Sequence, residues 1–324
     1  MKIRLSIIII LCCLSFKVQA QDPIFSQYFL VPETINPGFS GFEDASYFGL
    51  IHRTQWPSLD LRVDTEYAFF NSWIEHVGGI GFSILNQHES NTKYNHLQGN
   101  ITFAYHVQLA NEWFFRPAIE VGFGTKSFNF GNLVLSDQIN INSGTINSTS
   151  SDPFAINANR NISFVDFTAG FVFDKKNTSN DTDLWLGATV KHLNKPNISM
   201  QSDGQANLDM FMSLHGSFYI PTGVNRNDYE LYILANAMQQ GAYNRVDLGA
   251  KYQMDDFSFA LLAASNPNKG DPNSHFLTSI NAFVGLDWEG FRFGYSYDFN
   301  MTGIGTTGGV YELSIIYDLL FIIY

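Results

Sequence analysis

Phe291-Arg292-Phe293-Gly294-Tyr295-Ser296-Tyr297-Asp298-Phe299-Asn300 decides the fold. Every odd position is aromatic and every even one is polar or glycine, so an extended chain here has one apolar face and one polar face. Two more stretches alternate as cleanly. Val246, Leu248, Ala250, Tyr252 and Met254 oppose Arg245, Asp247, Gly249, Lys251 and Gln253. Ile280, Ala282, Val284 and Leu286 oppose Ser279, Asn281, Gly285 and Asp287. Helical periodicity is absent over any comparable length. From Tyr47 onward the pattern predicts about fourteen strands. They centre near residues 51, 66, 82, 100, 118, 168, 189, 214, 233, 248, 260, 282, 295 and 314.

A sandwich of two sheets alternates too, with its apolar face inward. Three features favour a transmembrane antiparallel β-barrel over residues 47–324. Most segments reach the roughly 9–11 residues that cross a bilayer at a tilt, beyond the ~5–6 usual in globular sheets. The polar face carries charge, at Arg116 and Glu120, at Arg245, Asp247 and Lys251, and at Arg292 and Asp298, which suits a wet or ion-paired lumen. Closure also removes the edges that so many strands would leave exposed. An even strand count places both termini on the periplasmic side. The long connections 128–160, 196–207, 266–275 and 300–307 then face outward. Tight inner turns are expected at 107–111, 254–256 and 289–290. Nine of the ten prolines avoid strand interiors; Pro117 does not, and predicts a bulge or break there.

The N-terminus predicts the compartment. Lys2 and Arg4 precede an apolar run from Leu5 to Phe16, and Val18-Gln19-Ala20 supplies a small-residue cleavage site. That is the pattern of a cleaved secretory signal peptide over residues 1–20. Leu11 and Cys12 stand where a lipoprotein site needs a small residue, so a lipid anchor is disfavoured. Both cysteines, Cys12 and Cys13, lie in this leader, so an exported chain without disulfides must draw stability from its architecture. Without Lys2, Arg4 and Lys17, 15 basic residues face 30 acidic ones, a net charge of −15. Such a balance excludes nucleic acid as a partner, because phosphate binding needs clustered lysine and arginine. No later stretch reaches 18 consecutive apolar residues, so no transmembrane helix is expected.

Residues 21–46 read differently. Asp22-Pro23, Val31-Pro32 and Asn36-Pro37-Gly38 forbid a regular strand. Phe25, Tyr28, Phe29, Leu30, Phe39 and Phe42 make the stretch too aromatic for a free tail. An extended, plug-like segment packed in or under the barrel is expected.

Gln21-Asp22-Pro23-Ile24-Phe25-Ser26-Gln27-Tyr28 and the turn Asn36-Pro37-Gly38-Phe39-Ser40-Gly41 resemble the opening of the PorP/SprF family of Bacteroidetes outer-membrane proteins. Arg53-Thr54-Gln55-Trp56 is similar to that family's R-x-Q-W element. Gly294-Tyr295-Ser296-Tyr297-Asp298 and Gly308-Gly309-Val310-Tyr311-Glu312-Leu313 are similar to its late signatures. Position 38 is Gly and position 40 Ser where the family usually has Ala, and Val310-Tyr311 replaces Ser-His; none of these departures touches chemistry. The resemblance implies an outer-membrane component of the type IX secretion system or of gliding motility. Its partners would be outer-membrane lipid and either the periplasmic ring lipoproteins or the C-terminal domain of a large secreted adhesin. It implies no enzyme and no cofactor.

Motifs of chemistry are weak. Gly303-Ile304-Gly305-Thr306-Thr307-Gly308 fits G-x-G-x-x-G, but a strand follows instead of the helix a dinucleotide site needs. Residues Gly122 to Ser127 lack the G-K-[ST] order of a phosphate loop. Asp181 and Asp183 offer at most a weak calcium loop. The eight histidines form no metal spacing, although His192 and His215 on neighbouring strands are the candidates if an outer-membrane hydrolase were assembled. Phe25, Gln27, Tyr28, Asn36, Pro37, Arg53, Gln55 and Trp56 are the candidates for plug packing or partner contact, Arg and Trp being favoured interface anchors. A passive diffusion channel or small-hydrophobe transporter is the alternative function.

Overall fold

The computed structural model describes residues 21–75, 77–128, 134–152, 161–177, 181–201, 204–221, 229–267, 276–302 and 307–319. The leader at 1–20 and most of the glycine-rich motif at 303–308 lie outside them.

The strands are β1 (Tyr47–Gln55), β2 (Val63–Ile74), β3 (Gly78–Glu89), β4 (Asn95–Tyr105), β5 (Val107–Ala110), β6 (Trp113–Ser127), β7 (Ile139–Asn140), β8 (Thr145–Ile146), β9 (Asn161–Lys176), β10 (Thr182–Lys191), β11 (Phe211–Ile220), β12 (Tyr229–Gln240), β13 (Tyr243–Met254), β14 (Phe257–Ser265), β15 (Leu277–Trp288), β16 (Phe291–Asn300) and β17 (Val310–Asp318). The short β7 and β8 pair with each other in the loop after β6. The rest form one closed antiparallel sheet. Each stave pairs with its neighbours in sequence, β4 pairs β6, and β1 pairs β17 to close the ring. Counting β5 as an extension of β4, the barrel has fourteen staves. All fourteen expected centres fall within them.

Burial settles which face points where. Along β14, Phe257, Phe259 and Leu261 are exposed while Ser258, Ala260, Leu262 and Ala264 are buried. On β6, Ile119, Val121 and Phe123 are exposed while Arg116 and Lys126 are buried. The exterior is thus an apolar wall rich in Phe and Leu, and most charges point into the lumen. That is the reverse of a sandwich in water and suits a wall facing lipid. Closure leaves no ladder unpaired in a medium that cannot hydrogen-bond to it.

Tyr47 pairs with Asp318, so both ends of the ring lie on one side. The two-residue turns at 255–256 and 289–290 lie there too, while the long connections 128–160 and 192–210 lie at the opposite end. Glu289 and Gly290 both have positive φ, 47° and 81°, as a type I′ hairpin turn requires.

Two expectations need correction. Pro117 causes no bulge: β6 runs unbroken and pairs β9 without a register shift, Pro117 opposite Phe171. The gap falls on the other side. Pairing with the preceding strand stops at Ala104↔Ala118 and resumes at Val107↔Phe115. His106, between β4 and β5, bonds instead to the Val77 carbonyl, so the ladder is interrupted where proline has no N–H to give. The turn expected at 107–111 is also shorter. Residues 107–110 continue the alternation as β5, leaving only 111–112 as the turn.

An arginine at an outward midwall position should separate a lipid-facing wall from a soluble surface. Leu248→Arg is expected to destabilise the barrel by about 2–4 kcal/mol in vesicles, as for cationic residues at the bilayer midplane. Urea titration in lipid, followed by heat-modifiable gel mobility, measures it.

Candidate functional site

Residues 21–46 make their contacts on the inward faces of the staves. They are not extended. The Leu30 and Val31 amides both bond to the Gln27 carbonyl, and 3₁₀ turns follow at Pro32–Thr34 and Pro37–Phe39. Prolines that exclude a strand also preset φ for the first position of a helical turn. At the second turn, Asn36 caps by accepting from the Gly38 amide at 2.8 Å.

The segment starts at the long-loop end of the barrel. His192, just past β10, donates from Nε2 to Asp22 at 2.7 Å and from Nδ1 to Asp166 on β9 at 2.8 Å. The Asp22 amide donates to Gln240 at 2.8 Å. Burial works against a charge on His192, but Asp22 and Asp166 outweigh it and hold its pKa up at about 9. Burial opposes the Asp22 charge as well, yet His192 keeps that carboxyl well below the usual range. The clasp is therefore ionic at neutral pH. His192 adopts φ +60°, a conformation costly for a residue with a Cβ.

One turn further on, the segment meets a charge imbalance in the wall. Glu312 on β17 and Asp298 on β16 share one guanidinium, Arg53 on β1, which bonds to Glu312 and lies 3.9 Å from Asp298. The segment supplies the missing donors. The Ser26 and Gln27 amides donate to the two Glu312 oxygens at 2.8 and 3.0 Å, and the Ser26 hydroxyl donates to Asp298 at 2.6 Å. Gln27 also donates to Ser296 and to the Glu312 carbonyl, and accepts from Ser314 at 2.6 Å.

Asn36 lies against β9, β10 and β11. Its amide is 2.8 Å from the Phe171 carbonyl, 3.3 Å from that of Ala188 and 3.0 Å from His215 Nε2. Toward the terminal end, Asp44 bonds to Lys176 at 2.6 Å and lies 3.7 Å from Arg116, while Glu43 bonds to Arg292 at 2.9 Å. Glu33 accepts from Tyr47 and Asn71.

Apolar contacts complete the seat. Phe25 and Val31 are buried with Tyr47, Ile51, Tyr67 and Phe69; Tyr28 and Ile35 are buried with Leu234, Leu262 and Phe283. Glycines on the staves make the close approach feasible. A Cβ on Gly79 would stand 1.9 Å from the Ser40 carbonyl oxygen, and one on Gly294 would stand 2.7 Å from Gln27 Oε1. Space remains inside the barrel. A cavity of about 410 Å³ lies between Phe29, Phe39, Lys251 and Asp287, and one of about 350 Å³ lies beside Arg53, Tyr243 and Arg245.

Of the candidates read from sequence, Phe25, Gln27, Tyr28, Asn36, Pro37 and Arg53 are all buried on the inward side. Gln55 and Trp56 stand apart at the long-loop mouth beside the second cavity, where Trp56 has φ +57° and is 37% exposed. Sequence reasoning missed Glu312, Asp22 and Glu33, which do as much to hold the segment. The first could have been found as an inward polar position of an alternating strand. His215 contacts Ser213 at 3.1 Å as well as Asn36. This resembles a hydrolase relay, but all three are buried and Asn36 also donates to main-chain carbonyls. Asp181 is bonded to Asn177 within its turn. Gly122, Gly124 and Lys126 lie within β6.

Two outcomes follow from this geometry. Arg53→Ala leaves two buried carboxylates without their cation and should cost about 3–5 kcal/mol, read as a lower urea midpoint. The raised pKa of His192 means its stabilisation is full below its ordinary ~6.5 and is lost as pH rises through about 9. Proteolysis near Asp22 should therefore increase between about pH 7 and about pH 10, and His192→Ala should remove that dependence.

Comparison with known proteins bears on the fold and the family. Among solved structures, the toluene transporter TodX of P. putida is similar, with a TM-score of 0.51 at 9% identity, covering 88% of this chain and 93% of that chain. A TodX deletion mutant described as a monoaromatic hydrocarbon channel is similar at 0.51 and 9%, covering 87% and 91%. Identity this low speaks to the fold alone. No curated protein matches the chain. The family model described as "Type IX secretion system membrane protein PorP/SprF" matches residues 17–317. With nearly the whole barrel covered by that match, the chain belongs to the PorP/SprF family of type IX secretion system outer-membrane barrels.

Proposed function

We propose that this protein is a plugged, non-catalytic barrel that scaffolds the secretion machine or helps export or anchor one surface adhesin through its C-terminal domain. The observation that carries the reading is the ionic seat of residues 21–46. Ser26 and Gln27 add three donors to Glu312 and Asp298 beyond those that Arg53 and Asn281 supply from the wall, and Asp22 and Asp44 bind the segment near its two ends. A lumen that uses its own charges to hold a segment is suited to support a partner more than to pass solute. In this reading residues 1–20 are the cleaved export signal, 21–46 the plug and 47–324 the barrel. Gln55 and Trp56 at the mouth are where a cargo domain would be felt, and ring lipoproteins would meet the terminal side. Family membership supports a connection with the secretion machinery; gliding motility and a Bacteroidetes source rest on the sequence resemblance.

A diffusion channel is the second reading. The cavities inside the barrel favour it, and a barrel of the same architecture is named as a toluene transporter.

Planar-bilayer recording separates the two. The purified protein is expected to show no steady large conductance, and a steady open state would favour the channel. Affinity purification from the native envelope divides the first reading further: ring lipoproteins would mark the core machine, and a single giant adhesin a dedicated anchor. With neither, the secretion role fails.

A further inference from the structure

The outward wall of β1, β2 and β3 carries a contiguous polar row, whereas outward polar residues on other staves, such as Thr125, Ser163 and Lys175, stand near strand ends. In one row across the ladder, Leu313 pairs with His52, His52 with Glu66, Glu66 with Asn86, and Asn86 with Leu97. Leu313 and Leu97 are 50% and 45% exposed, as lipid-facing positions are. The three positions between them are polar and bonded in series. His52 Nδ1 lies 3.3 Å from Glu66, Asn86 donates to Glu66 at 3.0 Å, and Asn95 donates to Asn86 at 3.0 Å. The next row toward the long loops holds Thr54, Asp64 and His88. There Thr54 donates to Asp64 at 2.7 Å and Arg62 donates to the same carboxylate at 2.9 Å.

The loop directly beyond this wall inverts the order a second time. Leu59 and Leu61, in the connection between β1 and β2, are 39% and 48% exposed. Lipid tails disfavour a polar row, and water disfavours exposed leucines. A surface polar at the depth of lipid and apolar beyond it fits neither solvent. It fits another protein that is embedded at the same depth and rises above the membrane.

We propose that the outward wall of β1–β3, together with the loop at 56–62, docks a second outer-membrane protein. That partner presents a lysine or arginine to Glu66, whose side chain is 39% exposed, and covers Leu59 and Leu61 with an apolar patch. Charge selects the occupant. Asp64 and Glu66 outnumber Arg62, so an anionic lipid headgroup is repelled, and a second copy apposed through the same wall sets acid against acid. The inference concerns the exterior alone, so its failure would leave the reading of the lumen standing.

Site-specific photocrosslinking in native cells tests it, with benzoyl-phenylalanine placed at Asn86, at Leu59, or at the control position Leu248 on the far wall. Asn86 and Leu59 are expected to give an adduct with one and the same membrane protein, mapped to a membrane-level segment bearing Lys or Arg. Leu248 gives none. Glu66→Lys should reduce the Leu59 adduct about tenfold, the loss of one close charge pair, with unchanged heat-modifiable mobility. Glu66→Gln, which can keep the row's hydrogen bonds, should lose less. Adducts with lipid only, adducts at twice the chain's own mass, equal labelling at Leu248, or a yield indifferent to Glu66→Lys would each overturn the proposal.

Discussion

One guanidinium between two carboxylates organises the inside of this barrel. Arg53 answers Glu312 and lies beside Asp298, Asn281 donates to Asp298 from the wall, and main-chain and hydroxyl donors of the N-terminal segment supply the rest. A buried ion pair is weak evidence for stability but strong evidence for specificity when its geometry needs a third party. Here the third party is residues 26 and 27. The same logic recurs at each end, where Asp22 meets His192 and Asp44 meets Lys176 and Arg116. The lumen and the segment are therefore two halves of one electrostatic structure.

The wall follows from a different constraint. In lipid, association of staves gains nothing from hiding apolar side chains, so the ladder itself and its closure through β1 and β17 hold the ring together. Aromatic and aliphatic residues outside match the solvent, and the polar set inside matches the segment. On β1–β3 the outer face carries a polar row bonded within itself.

Much of the architecture was legible because period two survives any tertiary arrangement. Phe291 to Asn300 alternates whether it packs in water or in lipid, so strand positions could be read directly. The direction of the apolar face could not be read from alternation, and needed the charges on the opposite face. Pairing was beyond reach: Arg53 and Glu312 are 259 positions apart, and nothing local at either residue announces the other. The prolines at 32 and 37 were correctly read as excluding a strand, but not as opening helical turns. Pro117 was read as marking a bulge or break; no bulge forms in its own strand, and the break falls opposite it, in the neighbouring strand at His106. His192 and His215 drew notice as possible chemistry, while each is observed bridging the segment to the wall.

The pairing of the first stave with the last has a consequence for the order of assembly. Residues 21–46 lie inside a hoop whose clasp joins Tyr47–Gln55 to Val310–Asp318. Once that clasp shuts, the segment has no sideways exit and moves only lengthwise, dragging Phe25, Tyr28 and Phe39 past one another's pockets. Wrapping the staves around a segment already in place avoids that passage. Because β17 is the last stave synthesised, the whole sheet must exist before the hoop can close, and until then the segment stays in reach of the solvent. A barrel wrapped around residues 21–46 would fold as a capture event, with the captive belonging to the same chain.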